Sequence, residues 1–213
     1  MEDLATRSYW LGLDGYEPGP PLRGDLEVDV AIVGGGFTGL WTAYHMLKED
    51  PGLTIAVLEA AAVGYGASGR NGGFAMTLVH RSLQALVASV GKQQALDIHH
   101  TSETAVHTIQ RVCEEENIDA DLMPNGLLVV SNTPLQDDHI RREAQLATEL
   151  GLDGIRLLEQ DEIRARVHSE TFRLALEEET CVLLNPARLV RGLKDAVVRR
   201  GARVFEQTAV DEV

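Results

Sequence analysis

Cysteine is scarce in this chain of 213 residues, which has only Cys113 and Cys181. Two thiols so far apart cannot staple a disulfide framework or supply a metal cluster, so both are expected to be buried and inert. Basic residues are also few, 19 against 33 acidic ones, for a net charge of −14. That balance excludes a general nucleic-acid binder, whose affinity rests on Lys and Arg neutralising phosphates. No apolar run approaches the roughly 18 residues that suggest a membrane span. The opening Met1-Glu2-Asp3 is acidic where a secretory leader is basic. A cytoplasmic protein with neither nucleic-acid nor membrane partner is expected. Hydrophobic residues at 44% and charged residues at 24% are ordinary for a globular chain of one or two domains and exclude disorder throughout.

Residues 1 to 24 read as an arm, with Tyr9-Trp10 followed by a proline-rich stretch, Glu17-Pro18-Gly19-Pro20-Pro21, that forbids a helix. Val30 to Val33 is a short apolar run suited to a strand buried on both faces of a parallel sheet. Leu40, Ala43, Tyr44 and Leu47 then fall at the spacing of an amphipathic helix, which Pro51-Gly52 stops before a second strand, Thr54 to Leu58. One strand–helix–strand unit of about 30 residues results. Further on, the spacing predicts a long helix from Lys92 to about Asn117, a strand from Leu127 to Val130 and a helix from Pro134 through Leu150. Asn185-Pro186 starts another helix, capped by the amide and ending near Gly201. Arg203 to Phe205 reads as a strand, with a further one through Val210 to the terminus. A domain ending on an unpaired strand leaves an open sheet edge, so a fragment of a longer protein is expected.

Gly34, Gly36 and Gly39 fit G-x-G-x-x-G between a strand and a helix. The first glycine permits the tight turn, the second lets backbone approach a pyrophosphate, and the third lets the helix pack closely on the sheet. The helix N-terminus adds free N–H groups and a partial positive charge for the anion. Glu59, about 20 residues past Gly39, ends the second strand where a carboxylate can accept from ribose hydroxyls, and it would repel a 2′-phosphate, disfavouring NADP. FAD and NAD both present an ADP half to such a unit, and the unit alone does not separate them. A second run of small residues, Gly64-Tyr65-Gly66-Ala67-Ser68-Gly69-Arg70-Asn71-Gly72-Gly73, follows directly and would let backbone approach a larger cofactor along its length.

From Tyr9-Trp10 through Gly73 the chain resembles the FAD-dependent oxidoreductases of the glycine and D-amino acid oxidase (DAO) type, and most of all their gamma-glutamylputrescine oxidase-like branch. The resemblance is most specific over residues 28 to 73. It implies an α/β fold: a Rossmann-like FAD/NAD(P)-binding domain with an inserted, incomplete α+β substrate domain. The domains would be an arm over 1–25, the first part of the FAD-binding domain over 26–115, a partial substrate domain over 116–180, and a truncated return over 181–213. FAD is the implied cofactor. Gly34, Gly36, Phe37, Thr38 and Gly39 would line its pyrophosphate, Glu59 and Ala60 the adenosine ribose, and Ser68 the phosphates again. Arg70, Asn71, Gly72 and Gly73 would lie along the ribityl chain toward the isoalloxazine ring, and the backbone of Val210 would meet the adenine. No His or Cys lies in Gly64 to Gly73, so covalent flavin attachment there is not expected.

The implied reaction is oxidation of a C–N bond in a small amine or amino acid, with hydride passing to flavin N5. Such proteins carry their substrate clamps in a later half, so no catalytic residue is named; the fragment alone is expected to bind FAD weakly or not at all and to turn over nothing. The alternatives are a flavin dehydrogenase serving an electron carrier, a non-catalytic ADP-binding remnant that partners a second chain supplying the missing half, and an NAD-binding module. His99, Glu103 and His107, spaced at four, could hold zinc on one helix face, but an ordinary polar face is the expectation and no metal is assigned. Glu114-Glu115-Glu116 and Glu177-Glu178-Glu179 read as solvated surface.

Overall fold

A computed structural model of the chain describes residues 8–13, 15–77 and 82–212. In chain order its elements begin with α1 (Tyr9–Gly12), β1 (Val30–Val33), α2 (Phe37–Glu49), β2 (Ile55–Leu58), β3 (Phe74–Met76), α3 (Leu83–Val90) and α4 (Lys92–Glu116). They continue with β4 (Leu127–Val130), α5 (Pro134–Leu150), β5 (Ile155–Glu159), α6 (Gln160–Arg164), β6 (Leu174–Glu178), β7 (Cys181–Leu183), α7 (Pro186–Arg199) and β8 (Arg203–Phe205). A 3-10 turn, Ala67–Gly69, lies between β2 and β3. Two compact units result. The first gathers Met1–Gly73, Val112–Leu122 and Leu184–Val213, and the second Phe74–Arg111 and Met123–Leu183.

The first unit is built on a parallel sheet in the order β1-β2-β8, with Ala31 opposite Ala56 and Val57 opposite Val204. Ile55, Ala56 and Val57 of the central strand are buried. Two helices supply the rest of the core. From α2 come Leu40, Ala43, Tyr44 and Leu47, and from α7 come Leu189, Val190, Leu193, Ala196 and Val197, each set on one helical face, and the two helices pack on each other. The α7 start is as its sequence predicts: Asn185 accepts from Arg188 N at 3.1 Å, with Pro186 in the first turn.

The arm contains one helical turn, α1, ahead of its prolines, and the stretch 17–21 forms no helix, as expected. Two expectations for this unit need correction. β1 is not buried on both faces: among the described residues it pairs with β2 alone, and Val33 is 58% exposed. Branched apolar residues suit an edge strand and a central one equally, so composition could not tell them apart. No strand runs through Val210. Gln207 takes a positive φ of 53°, which breaks the extended path, and the N–H groups of Gln207 and Thr208 donate to Ala61 O and Glu59 O instead.

In the second unit an antiparallel sheet runs β4-β6-β5, with β6 central and fully buried. Helix α5 lays Ile140, Ala144 and Ala147 against Ile155, Leu174 and Leu176. A capping box, Thr133 with Gln136, starts α5, and Gly151 in the left-handed conformation ends it. Strands β3 and β7 form a separate antiparallel pair. The long helix, β4 and α5 match their spacing; β3, β5, β6, β7, α3 and α6 are short, and no periodic signal marked them. Cys113 and Cys181 are free and buried as expected, and burial pushes the Cys113 thiol up to about 11. Among the described residues no helix is long and apolar enough to cross a membrane.

Candidate cofactor-binding site

β1 ends at a turn that only glycine adopts without strain. Gly34 has φ of +102°, and its N–H donates to Leu58 O at 2.8 Å, closing the turn onto the end of β2. Gly36 is the cap residue of α2 and offers no side chain to the helix end. A methyl group on Gly36 would stand 2.9 Å from Ser68 Oγ, and one on Gly39 would collide with Gly34 O, so α2 can approach β1 only with glycine there. The first turn of α2 holds no acidic residue, and its leading N–H groups have no intrahelical partner. Phe37 N donates to Ser68 Oγ at 2.9 Å. This end of α2 presents donors, a partial positive charge and room, which is what a phosphate needs.

Glu59 lies just past β2 and faces the same turn. Its Oε2 accepts from Gly35 N at 2.8 Å and its Oε1 from Ala61 N at 2.9 Å. Each carboxylate oxygen has further acceptor capacity, so the pair can still take hydroxyl donors. The terminal segment runs alongside, with Glu59 N donating to Phe205 O and Thr208 N to Glu59 O. Ala60 is exposed beside it, and Val210 is half-buried two residues past Thr208.

The second glycine run is pinned to the first, since Gly64 N donates to Gly35 O at 3.1 Å. Its spacing repeats G-x-G-x-x-G at Gly64, Gly66 and Gly69, a signal already present in the sequence. The geometry repeats as well. Gly64 has φ of +79°, and a methyl on Gly69 would collide with Gly64 O just as one on Gly39 would with Gly34 O. Asn71 folds back, donating to Ala67 O and Ser68 O while its Oδ1 accepts from Gly73 N. Arg70 donates to Gly66 O and lies over the Tyr65 ring. Gly34, Gly36, Phe37, Glu59 and Ser68 thus converge through direct contacts around one helix end. Thr38, Arg70, Asn71 and Gly72 are exposed beside them, and Gly73 is buried with its carbonyl bonded to Leu184 N.

Sequence reasoning missed Glu206, whose side chain is 1% exposed. It accepts from Tyr16 Oη, Gly19 N and Val63 N, at 2.7, 2.7 and 2.6 Å, and Lys194 Nζ stands 3.6 Å away. Burial first, then the Glu206 carboxylate, holds the Tyr16 hydroxyl well above its usual range. The one available signal is an acid directly after a strand, as at Glu59. The acidic runs are not simply solvated surface. Glu116 accepts from Arg199, Arg200 and Tyr44, Glu177 pairs with Arg156 and Arg166, and Glu178 is buried. Each run keeps its other members exposed, and only tertiary neighbours select which residue turns inward. On α4, His99 and His100 both face Glu103, whereas His107 turns to Gln110.

A parallel sheet, a glycine turn into a helix and an acid ending the next strand define a dinucleotide-binding unit of the α/β class. The chain belongs to the DAO family of FAD dependent oxidoreductases, whose family model matches residues 29–213. It is 31% identical over its whole length to gamma-glutamylputrescine oxidoreductase of Escherichia coli (strain K12), covering 49% of that protein. To a probable oxidoreductase, OrdL, of Haemophilus influenzae it is 28% identical over 90% of the chain and 44% of that protein. The chain therefore spans about half the length of these curated relatives. Among solved structures, glycine oxidase from Bacillus cereus superposes with a TM-score of 0.67 at 18% identity, covering 88% of this chain and 49% of that one. L-amino acid deaminase from Proteus vulgaris gives 0.69 at 20% identity, covering 90% and 43%. At such identities these two show the shared fold. FAD, the cofactor named by the family, is the one the sequence implied.

Proposed function

We propose that this chain holds FAD for an oxidoreductase that acts on the C–N bond of small amines or amino acids. One observation carries the reading: the N-terminus of α2 has a glycine cap and no first-turn acid, with Ser68 and Glu59 gathered at its approach. In this reading Gly34, Gly36, Phe37, Thr38 and Gly39 face the pyrophosphate, and Ser68 assists once its hydroxyl turns outward. Glu59 and Ala60 meet the adenosine ribose, and Val210 meets the adenine. Arg70, Asn71, Gly72 and Gly73 follow the ribityl chain toward the ring. The donors and the spare acceptor capacity of Glu59 fit an ADP half, and the absence of a side chain at Gly36 keeps the helix end beside Ser68 clear.

When bound, FAD supplies a two-electron acceptor, so the substrate carbon bearing nitrogen gives up a hydride, the nitrogen gives up a proton, and the resulting imine is open to hydrolysis. The chain's own part is binding and orientation. The names of the relatives, a gamma-glutamylputrescine oxidoreductase and a glycine oxidase, support an amine or amino acid as substrate. The second unit, with its antiparallel sheet, is read as belonging to a substrate domain inserted between stretches of the cofactor-holding unit. The free thiols of Cys113 and Cys181 suit a reducing compartment such as the cytoplasm.

The test is titration of the purified chain with FAD and with NAD, read by thermal midpoint and flavin fluorescence. FAD is expected to raise the midpoint and change its fluorescence, and Gly36→Val to abolish both effects. An equal response to NAD, or none to FAD, overturns the assignment. For the substrate class, anaerobic bleaching of the FAD-loaded chain by a 2-hydroxy acid and by no amine or amino acid would sink the C–N reading.

A further inference from the structure

Two donors from the N-terminal arm reach across to the second glycine loop. Ser8 Oγ donates to Gly69 O at 2.8 Å, and Trp10 Nε1 donates to Asn71 O at 2.9 Å. The next residue of the arm, Leu11, is 1% exposed, its Cδ2 placed 2.9 Å from where a methyl on Gly69 would stand, and its carbonyl accepts from Arg191. Farther along, the arm is fastened again. Tyr16 Oη and Gly19 N donate to Glu206, the same carboxylate that accepts from Val63 N at the entrance of the loop. Leu22 N donates to Thr208 Oγ1 beyond β8. Both ends of the loop are therefore held by the arm, directly at Gly69 and Asn71 and through Glu206 at Val63.

The two direct bonds have an orienting effect. In a trans peptide the C=O and the following N–H point in opposite directions. With the carbonyl of Gly69 turned to Ser8, the Arg70 N–H turns away and donates to Ala67 O at 3.2 Å. With the carbonyl of Asn71 turned to Trp10, the Gly72 N–H likewise faces away from the arm. Gly72 is exposed and carries no side chain, so this donor stays open to an acceptor. Without the arm a glycine-rich run samples many backbone states, since Gly populates positive and negative φ alike.

We propose that the N-terminal arm is a clasp that holds the loop Ser68–Gly73 in its cofactor-receiving conformation, with Ser8 and Trp10 as positioning residues; its link to FAD rests on the function proposed above. The experiment compares the full chain with Trp10→Phe, which keeps a ring and loses the donor, with Ser8→Ala, and with Ser8→Thr, which keeps the hydroxyl. Amide hydrogen exchange of residues 68–73 without FAD reports the clasp itself, and FAD affinity by flavin fluorescence reports its use. Each lost hydrogen bond is expected to weaken FAD binding about fivefold and to speed loop exchange by a similar factor, while α2 exchange holds and the thermal midpoint falls by only about 2–4 °C. Ser8→Thr should restore both readouts. Unchanged loop exchange in Trp10→Phe and Ser8→Ala overturns the clasp, as does faster exchange with unaltered FAD affinity. If the unsubstituted chain takes up no FAD, the cofactor reading fails, and loop exchange alone then decides for or against the clasp.

Discussion

Glu116 ends α4 with its side chain 10% exposed, between Arg199 and Arg200 on one side and Tyr44 on the other. Burial pushes its carboxyl up, but the hydrogen bonds from the two arginines outweigh that and leave it below the usual 4.5. Its contribution to stability is therefore complete above pH 4.5 and is lost as pH falls through the lowered native value. Glu116→Gln is expected to cost about 2 kcal/mol at neutral pH, shrinking toward zero in acid, as urea unfolding across pH would record. Glu178 behaves in the opposite sense. Burial pushes it from 4.5 up to about 7, only partly offset by the N–H of Thr77, and the charge of Glu103 adds to the rise. A raised acid leaves the native state unpenalised below 4.5 and costs it stability as pH climbs toward 7. Glu178→Gln should then be more stable than the unsubstituted chain above pH 7 by roughly 3 kcal/mol at most, with the difference closing below 4.5. The same urea series checks it; a constant difference at all pH values would contradict the assignment. Neither behaviour is legible in the sequence, where both residues stand in triple-glutamate runs that read as surface.

At the scale of elements, β1, α2 and β2 were legible because their signals are local: an apolar run, a glycine turn, a helical stripe and a Pro-Gly stop within about 30 residues. The candidate site shared that advantage, since a positive-φ turn and a helix-packing glycine follow from neighbours along the chain. Gly39→Ala tests the packing role. Its methyl would collide with Gly34 O, which is backbone and cannot move aside as a side chain would. The expected outcome is a thermal midpoint lowered by several degrees, consistent with about 1–3 kcal/mol of overpacking, together with loss of FAD response. Thr133→Ala is a milder case. It removes the side-chain half of a capping box on α5, and scanning calorimetry should find about 1 kcal/mol lost with FAD response intact. The elements that escaped sequence reading, β5, β6, β7 and α6 among them, span three to five residues each. Length alone does not set them apart, since β1, β2 and β4 have four residues each; β6, Leu-Ala-Leu-Glu-Glu, holds no β-branched residue, and pairing with distant strands decides its state.

For the molecule as a whole, a net charge of −14 implies self-repulsion that salt screens. The thermal midpoint is expected to rise on going from low to moderate ionic strength at neutral pH, and scanning fluorimetry across a sodium chloride series checks this. A falling midpoint would mean that ion pairs such as Arg200–Glu116 outweigh the general repulsion. The first unit draws on three separated stretches of chain, so its core forms only when α7 and β8 return to α2 and β2. By itself the sequence determined the class of fold, the glycine turn into α2, the acid just past β2 and the family, because each depends on residue type at short spacing. The tertiary structure decided which acids are buried, that β1 stands with an exposed face, and that the arm grips the second glycine loop through Ser8, Trp10 and Glu206. Those contacts join residues as many as 190 positions apart. Their partners are chosen by how distant segments pack, and no periodicity along the chain records that choice.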